Sequence, residues 1–266
     1  MRNAVQLSHT PHMSNTLHMS NTLHTSNTLD TSNTVQLIAM HGWCGDSRSW
    51  DPWLPIWQSQ GWRCSCGERG YGHRSAVEPR WNDGPGIRVV IAHSLGPHLL
   101  PAAVLQQADA VVLLTSFAQF VPAGRDGRSL RAALDGMARE LSGPDPGAML
   151  QSFLQQVAAP APPGLLQATP AAEPLCATGL QQLQEDLDLL ARTEGLPEGF
   201  PSQAAILLVQ AGADRIVAPQ ARLALEHALP GADVLTLRGA GHGLLGTPVV
   251  AMVMAWLKQL QTMERA

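Results

Sequence analysis

Two segments, RVVIA at 88–92 and VVLLT at 111–115, constrain this chain most. Both are short, apolar and rich in β-branched residues, and the stretch between them has room for one helix. A strand, a crossover helix and a second strand at that spacing select a parallel sheet. Its strands are buried on both faces and so read as apolar runs instead of alternating patterns. VQLIAM at 35–40, Trp62 to Cys66, AILLVQ at 205–210 and DVLTL at 233–237 supply further strands. Helices are predicted at about 51–60, where Pro55 is confined to a first turn or a kink, and at about 95–107, 219–228 and 248–260. Between Phe117 and Phe200 the strand signals stop. Helical periodicity covers 128–141, 147–158 and about 176–194, around a Pro/Ala-rich segment at 159–174. That stretch is too long for a bare loop. The predicted class is α/β: a mostly parallel central sheet flanked by helices, with an inserted helical cap. Residues 35–116 and 201–263 form the core, and 117–200 form the cap.

Ahead of the core, SNTLHM, SNTLHT, SNTLDT and SNTVQL begin at Ser14, Ser20, Ser26 and Ser32. A polar repeat this short cannot stack into a solenoid. Residues 1–34 therefore read as a disordered low-complexity leader, with strands added to the sheet edge as the alternative. His9, His12, His18 and His24 read as by-products of the repeat, with weak metal binding as the minor alternative.

The net charge of −4 gives no reason to expect a nucleic-acid partner. No secretory leader and no apolar stretch long enough for a membrane span is visible, so the expected location is the cytoplasm, with no membrane partner. Cys44, Cys64, Cys66 and Cys176 read as reduced thiols. No paired spacing of a structural zinc site and no glycine-rich phosphate loop is present, so neither metal nor cofactor is expected. A monomer is expected.

The chemistry begins at Ser94. It follows the strongest strand and precedes a helix, flanked two positions away by Ala92 and Gly96. Small residues there permit a tight turn that lifts a nucleophile over the sheet end. Asp214, in GADRIV, and His242, in GAGH, each follow a later predicted strand. The order serine, acid, histidine separates this arrangement from the other two well-known serine triads. His242 can take the serine proton and return it to the leaving group, while Asp214 fixes the imidazole tautomer. A surface pair of Asp214 with Arg215 is the bland alternative, and Asp233 is a rival acid. The Trp43 and Leu95 N–H groups are candidate oxyanion donors. Trp43, His93, Phe117 and Phe120 are candidate pocket residues. Arg125, Arg128 and Arg131, spaced by three, fall roughly on one face of the first cap helix, with Arg139 further along and Asp126 and Asp135 diluting the charge. They are either a solvated face or a docking patch for an acidic partner.

HGWCGD at 41–46, CGERGYG at 66–72, AHSLG at 92–96, GADRIVAP at 212–219 and GAGH at 239–242 together resemble the α/β-hydrolase superfamily. Within it, HGWCGD and the arginine-bearing cap resemble the biotin-synthesis esterases that demethylate pimeloyl-[acyl-carrier protein] methyl ester. The resemblance implies a serine carboxylesterase with Ser94, Asp214 and His242 as its triad. It also implies Trp43 and Leu95 as oxyanion donors, and an acyl ester substrate presented by acyl carrier protein docked at Arg125, Arg128 and Arg131. A general carboxylesterase, a thioesterase acting on small acyl substrates and a non-catalytic hydrolase-like binding protein are the alternatives. Ala92 in place of glycine, Pro97 after Gly96, and the short proline-bearing segment from Tyr71 to Arg88 depart from the family pattern.

Overall fold

The computed structural model describes residues 16–18, 35–166, 169–170 and 175–263. Among the described residues, seven strands form one sheet: β1 (Thr16–His18), β2 (Val35–Met40), β3 (Arg63–Cys66), β4 (Ile87–His93), β5 (Ala110–Leu114), β6 (Ala205–Ala211) and β7 (Asp233–Leu237). Their order is β1-β7-β6-β5-β4-β2-β3. Strands β2 to β7 all run parallel, and β1 pairs antiparallel with β7 along Thr16–His18 against Val234–Thr236. Part of the repeat segment thus lies on the sheet edge. The rest of residues 1–34 falls outside the described residues.

Alternation along the central strands sends side chains to two helical layers. Val89 and Ile91 face a layer with Trp50, Trp53 and Trp57 and with helix α7 (Val249–Met263). Trp57 belongs to the short helix α1 (Leu54–Ser59). Val90 and Ala92 face α2 (Ala102–Leu105) and α6 (Pro219–Ala228). Each fully buried Val, Leu or Ile in these layers contributes about 1.5–3 kcal/mol relative to exposure.

The helix anticipated over 95–107 is instead broken in two. A 3₁₀ turn at Gly96–Leu99 is followed by extended Leu100 and then by α2. Pro101 is the cause: it has no N–H to donate, and its ring disfavours helical geometry at the residue before it. No helix forms among residues 67–86, so β3 reaches β4 through a loop carrying one isolated bridge between Glu68 and Val77.

Between β5 and β6 lie helices α3 (Arg128–Leu141), α4 (Pro146–Ala158) and α5 (Ala177–Arg192). Together with Trp43, Tyr71, Leu95, Phe117 and Phe120 they bury a third apolar cluster over the C-terminal ends of the strands. No helix among the described residues is long and apolar enough to cross a membrane.

Candidate active site

Ser94 takes up φ +56, a backbone conformation that side chains with a Cβ seldom adopt. Two bonds hold it there: its N–H donates to Leu114 O at 2.9 Å, and its carbonyl accepts from Ser116 Oγ at 2.7 Å. The strained residue is thereby over-determined by the end of β5. Close approach explains the neighbouring glycines. A Cβ on Gly96 would lie 2.5 Å from Met40 O, and one on Gly42 would lie 2.8 Å from Ser94 Cβ. Ala92 is accommodated without such a conflict, its methyl fully buried among Ile38, Met40 and Val90. Pro97 sits in the first turn of the 3₁₀ segment, where a missing N–H costs no intrahelical bond.

Asp214 and His242 meet. His242 Nδ1–H donates to Asp214 Oδ2 at 2.9 Å, leaving Nε2 as the free acceptor of the ring. Oδ1 accepts from the Ile216 and Val217 N–H groups at 2.7 and 3.0 Å. The Asp214 side chain is fully buried. Burial alone would raise its carboxyl, but attraction to His242 and these hydrogen bonds outweigh it and hold the group below its ordinary value. The partner of Asp214 is therefore His242 and not Arg215, and Asp233 is engaged elsewhere, accepting from Trp256 Nε1 at 2.7 Å.

The His242 backbone is itself clamped. Its carbonyl accepts from Thr115 Oγ1 at 2.9 Å and from His93 Nε2–H at 3.0 Å, and the His93 and His242 rings lie 4.9 Å apart. Burial first, and then the neighbouring His242, push His93 down to about 3, so it stays a neutral donor near pH 7. The Gly243 N–H donates to Val157 O of α4. The histidine loop is thus tied to β4, to the residue after β5 and to the cap. Neither the Trp43 nor the Leu95 N–H donates to a protein acceptor among the described residues.

The cap docks through a polar cluster that the sequence reading missed. Asp186 on α5, almost completely buried, accepts from Arg69 Nε and Nη2 at 2.7 and 2.6 Å. It also accepts from Tyr71 OH at 2.6 Å and Gln182 Nε2 at 3.1 Å. Less than one turn away, Trp43 Nε1–H donates to Leu183 O at 2.8 Å, so α5 fixes the ring whose backbone N–H is the candidate oxyanion donor. Removing one partner of such a pair leaves an uncompensated charge. Asp186→Ala is expected to destabilise the fold by about 3 kcal/mol in urea denaturation.

Beside this cluster, Glu68 accepts from the Ser47 and Gly70 N–H groups and lies 3.6 Å from His41 Nε2. Burial works against its charge, but His41 and the two backbone donors outweigh it and bring Glu68 to about 2, below the ordinary 4.5. A lowered folded-state value means that this stabilisation is complete above about pH 4.5 and is lost as pH falls toward 2. Thermal melting across that window should decline less steeply in Glu68→Gln than in the wild type.

A cavity of about 450 Å³ opens between the cap helices and the core. Trp43 and Phe120 line it; the expected pocket residues His93 and Phe117 are not among its lining residues, and neither are Ser94 and His242. His93 is turned to the His242 loop, and Phe117 stacks on His98 within the cap–core cluster. Arg125, Arg128, Arg131 and Arg139 are exposed, and the three on α3 lie apart from the Leu130, Leu134 and Met137 positions that line the cavity.

Residues 189–265 match the family model described as TAP-like protein, a stretch that contains Asp214 and His242 but not Ser94. No curated protein sequence matches the chain. Among solved structures it is similar to an esterase from Exiguobacterium antarcticum, with TM-score 0.62, 14% identity, and 87% of this chain and 92% of that one covered. It is likewise similar to a thermophilic esterase from Thermogutta terrifontis, with TM-score 0.59, 15% identity, and 88% and 92% covered. The bottromycin epimerase BotH also resembles it, with TM-score 0.54, 16% identity, and 82% and 87% covered. The chain has the α/β-hydrolase fold. An epimerase among its neighbours shows that the activity must be argued from the site.

Proposed function

We propose that this protein is a serine ester hydrolase, and the observation that carries the reading is the buried Asp214–His242 pair, whose histidine carbonyl is held by His93, the residue before the strained Ser94 turn. Ser94 Oγ attacks the ester carbonyl while His242 Nε2 takes its proton. The Trp43 and Leu95 N–H groups receive the charge that develops on the carbonyl oxygen. The proton passes to the departing alcohol, and a water activated by the same imidazole releases the acyl group as a carboxylate. Asp214 stays ionised and stabilises the imidazolium at each stage.

The substrate best matched to the sequence resemblance is a carrier-bound acyl methyl ester, pimeloyl-[acyl-carrier protein] methyl ester. The exposed arginines on and beside α3 support docking of an acidic carrier. Methanol release from that substrate by wild type and Ser94→Ala tests this choice. Serine-dependent release, weakened by salt and by combined replacement of Arg125, Arg128 and Arg131, is expected. Turnover of simple aryl esters without methanol release would instead identify a general carboxylesterase.

A further inference from the structure

Gly136 stands in the interior of α3, where glycine costs about 1 kcal/mol relative to alanine. Its backbone does not require glycine, since it is absent from the positive-φ residues. Close packing does not require it either. A Cβ built at Gly136 meets no atom within 4 Å, in contrast to Gly42 and Gly96, where a Cβ would strike Ser94 or the Met40 carbonyl. What the missing side chain leaves is space, and Gly136 lies on the wall of the 450 Å³ cavity.

The rest of that wall is mainly apolar, including Phe120, Leu134, Met137, Phe153 and Leu187. Trp43 joins it to the proposed chemistry: the residue lines the cavity, and its backbone N–H is the candidate oxyanion donor. Ile216, whose N–H donates to Asp214 Oδ1, also lines the cavity, so the cavity borders the acid loop as well as Trp43, and the methyl half of a methyl ester needs no such volume. The thioethers of Met137 and Met149 can adapt to a flexible chain.

We propose that the cavity holds a medium-chain apolar acyl group and that Gly136 sets the length it accepts, by leaving room for the distal end of the chain. This inference rests on the ester hydrolase reading and not on the carrier-bound methyl ester, whose acyl chain continues at its distal end into the carrier thioester.

The test is kcat/KM for p-nitrophenyl esters from acetyl to dodecanoyl, measured on the full chain. The proteins compared are the wild type, Gly136→Ala, Gly136→Leu and, as a control on an exposed position of α3 outside the cavity, Ala132→Leu. The wild type is expected to prefer octanoyl or decanoyl esters. Gly136→Leu should lower kcat/KM for these by about tenfold or more while leaving the acetyl ester within about twofold. Ala132→Leu should keep the wild-type profile. An equal fall at every chain length, or the same change from Ala132→Leu, overturns the proposal.

Should Gly136→Leu not fold, Gly136→Ala decides. A melting temperature raised by about 2 °C together with a preference moved to shorter chains supports the role. An unmoved preference overturns it. If the wild type hydrolyses none of these esters, methanol release judges the hydrolase reading separately, and calorimetric titration with decanoate judges the cavity. Binding lost in the folded Gly136 variant but kept in Ala132→Leu supports the proposal, and an absence of binding to the wild type overturns it.

Discussion

Replacing Ser94 with alanine is expected to lower kcat for ester hydrolysis on the order of 10⁵-fold while KM stays within about threefold. The asymmetry follows from the geometry. Alanine keeps a Cβ at the φ +56 turn and keeps the bonds from Ser94 N–H to Leu114 O and from Ser116 Oγ to the residue-94 carbonyl. The cavity and the two candidate oxyanion donors therefore remain, and only the group that forms the covalent bond is lost. A melting temperature near that of the wild type, with steady-state kinetics on one soluble ester, separates this result from unfolding.

Asp214→Asn is expected to cost on the order of 10⁴ in kcat, again with a folded protein. The amide oxygen can still accept from the Ile216 and Val217 N–H groups, so the loop keeps its shape. Its NH₂ then faces His242 Nδ1 and donates where Oδ2 had accepted. The imidazole must carry its proton on Nε2, the atom that has to take the serine proton, and the carboxylate that stabilised the imidazolium is gone. Stopped assays near neutral pH, alongside a urea melt, check both halves of the expectation.

Legibility in the sequence followed the range of the interaction. Strands set by local apolar runs were readable almost to the residue: 88–92 became Ile87–His93, and 233–237 is Asp233–Leu237. Helix α3 has the bounds that its periodicity predicts. The continuous helix after Ser94 was misread because Pro101, unlike Pro97, lies beyond the first turn and forces Leu100 into an extended conformation.

At the site, Asp214 and His242 were each found from a loop that follows a strand, and a parallel sheet brings such loops to one end. Asp186 was not found. Its partners Arg69 and Tyr71 lie more than a hundred residues earlier, and an acidic residue on a polar-looking helix reads as a solvated face until the cap is docked. The one usable signal was the unassigned arginine and tyrosine in CGERGYG. Thr115 and His93 were likewise unreadable as partners of the His242 carbonyl, because a side chain that holds another residue's backbone leaves no pairwise pattern in the chain.

The account rests on Ser94 being a nucleophile activated through His242. Mapping the adduct left by an alkyl fluorophosphonate on the intact protein by peptide mass spectrometry tests this most directly. The predicted result is one adduct, on the peptide containing Ser94, absent from Ser94→Ala and formed far more slowly in His242→Ala. Equal labelling of the Ser94→Ala protein, or no adduct on the wild type under conditions where it remains folded, would contradict the account.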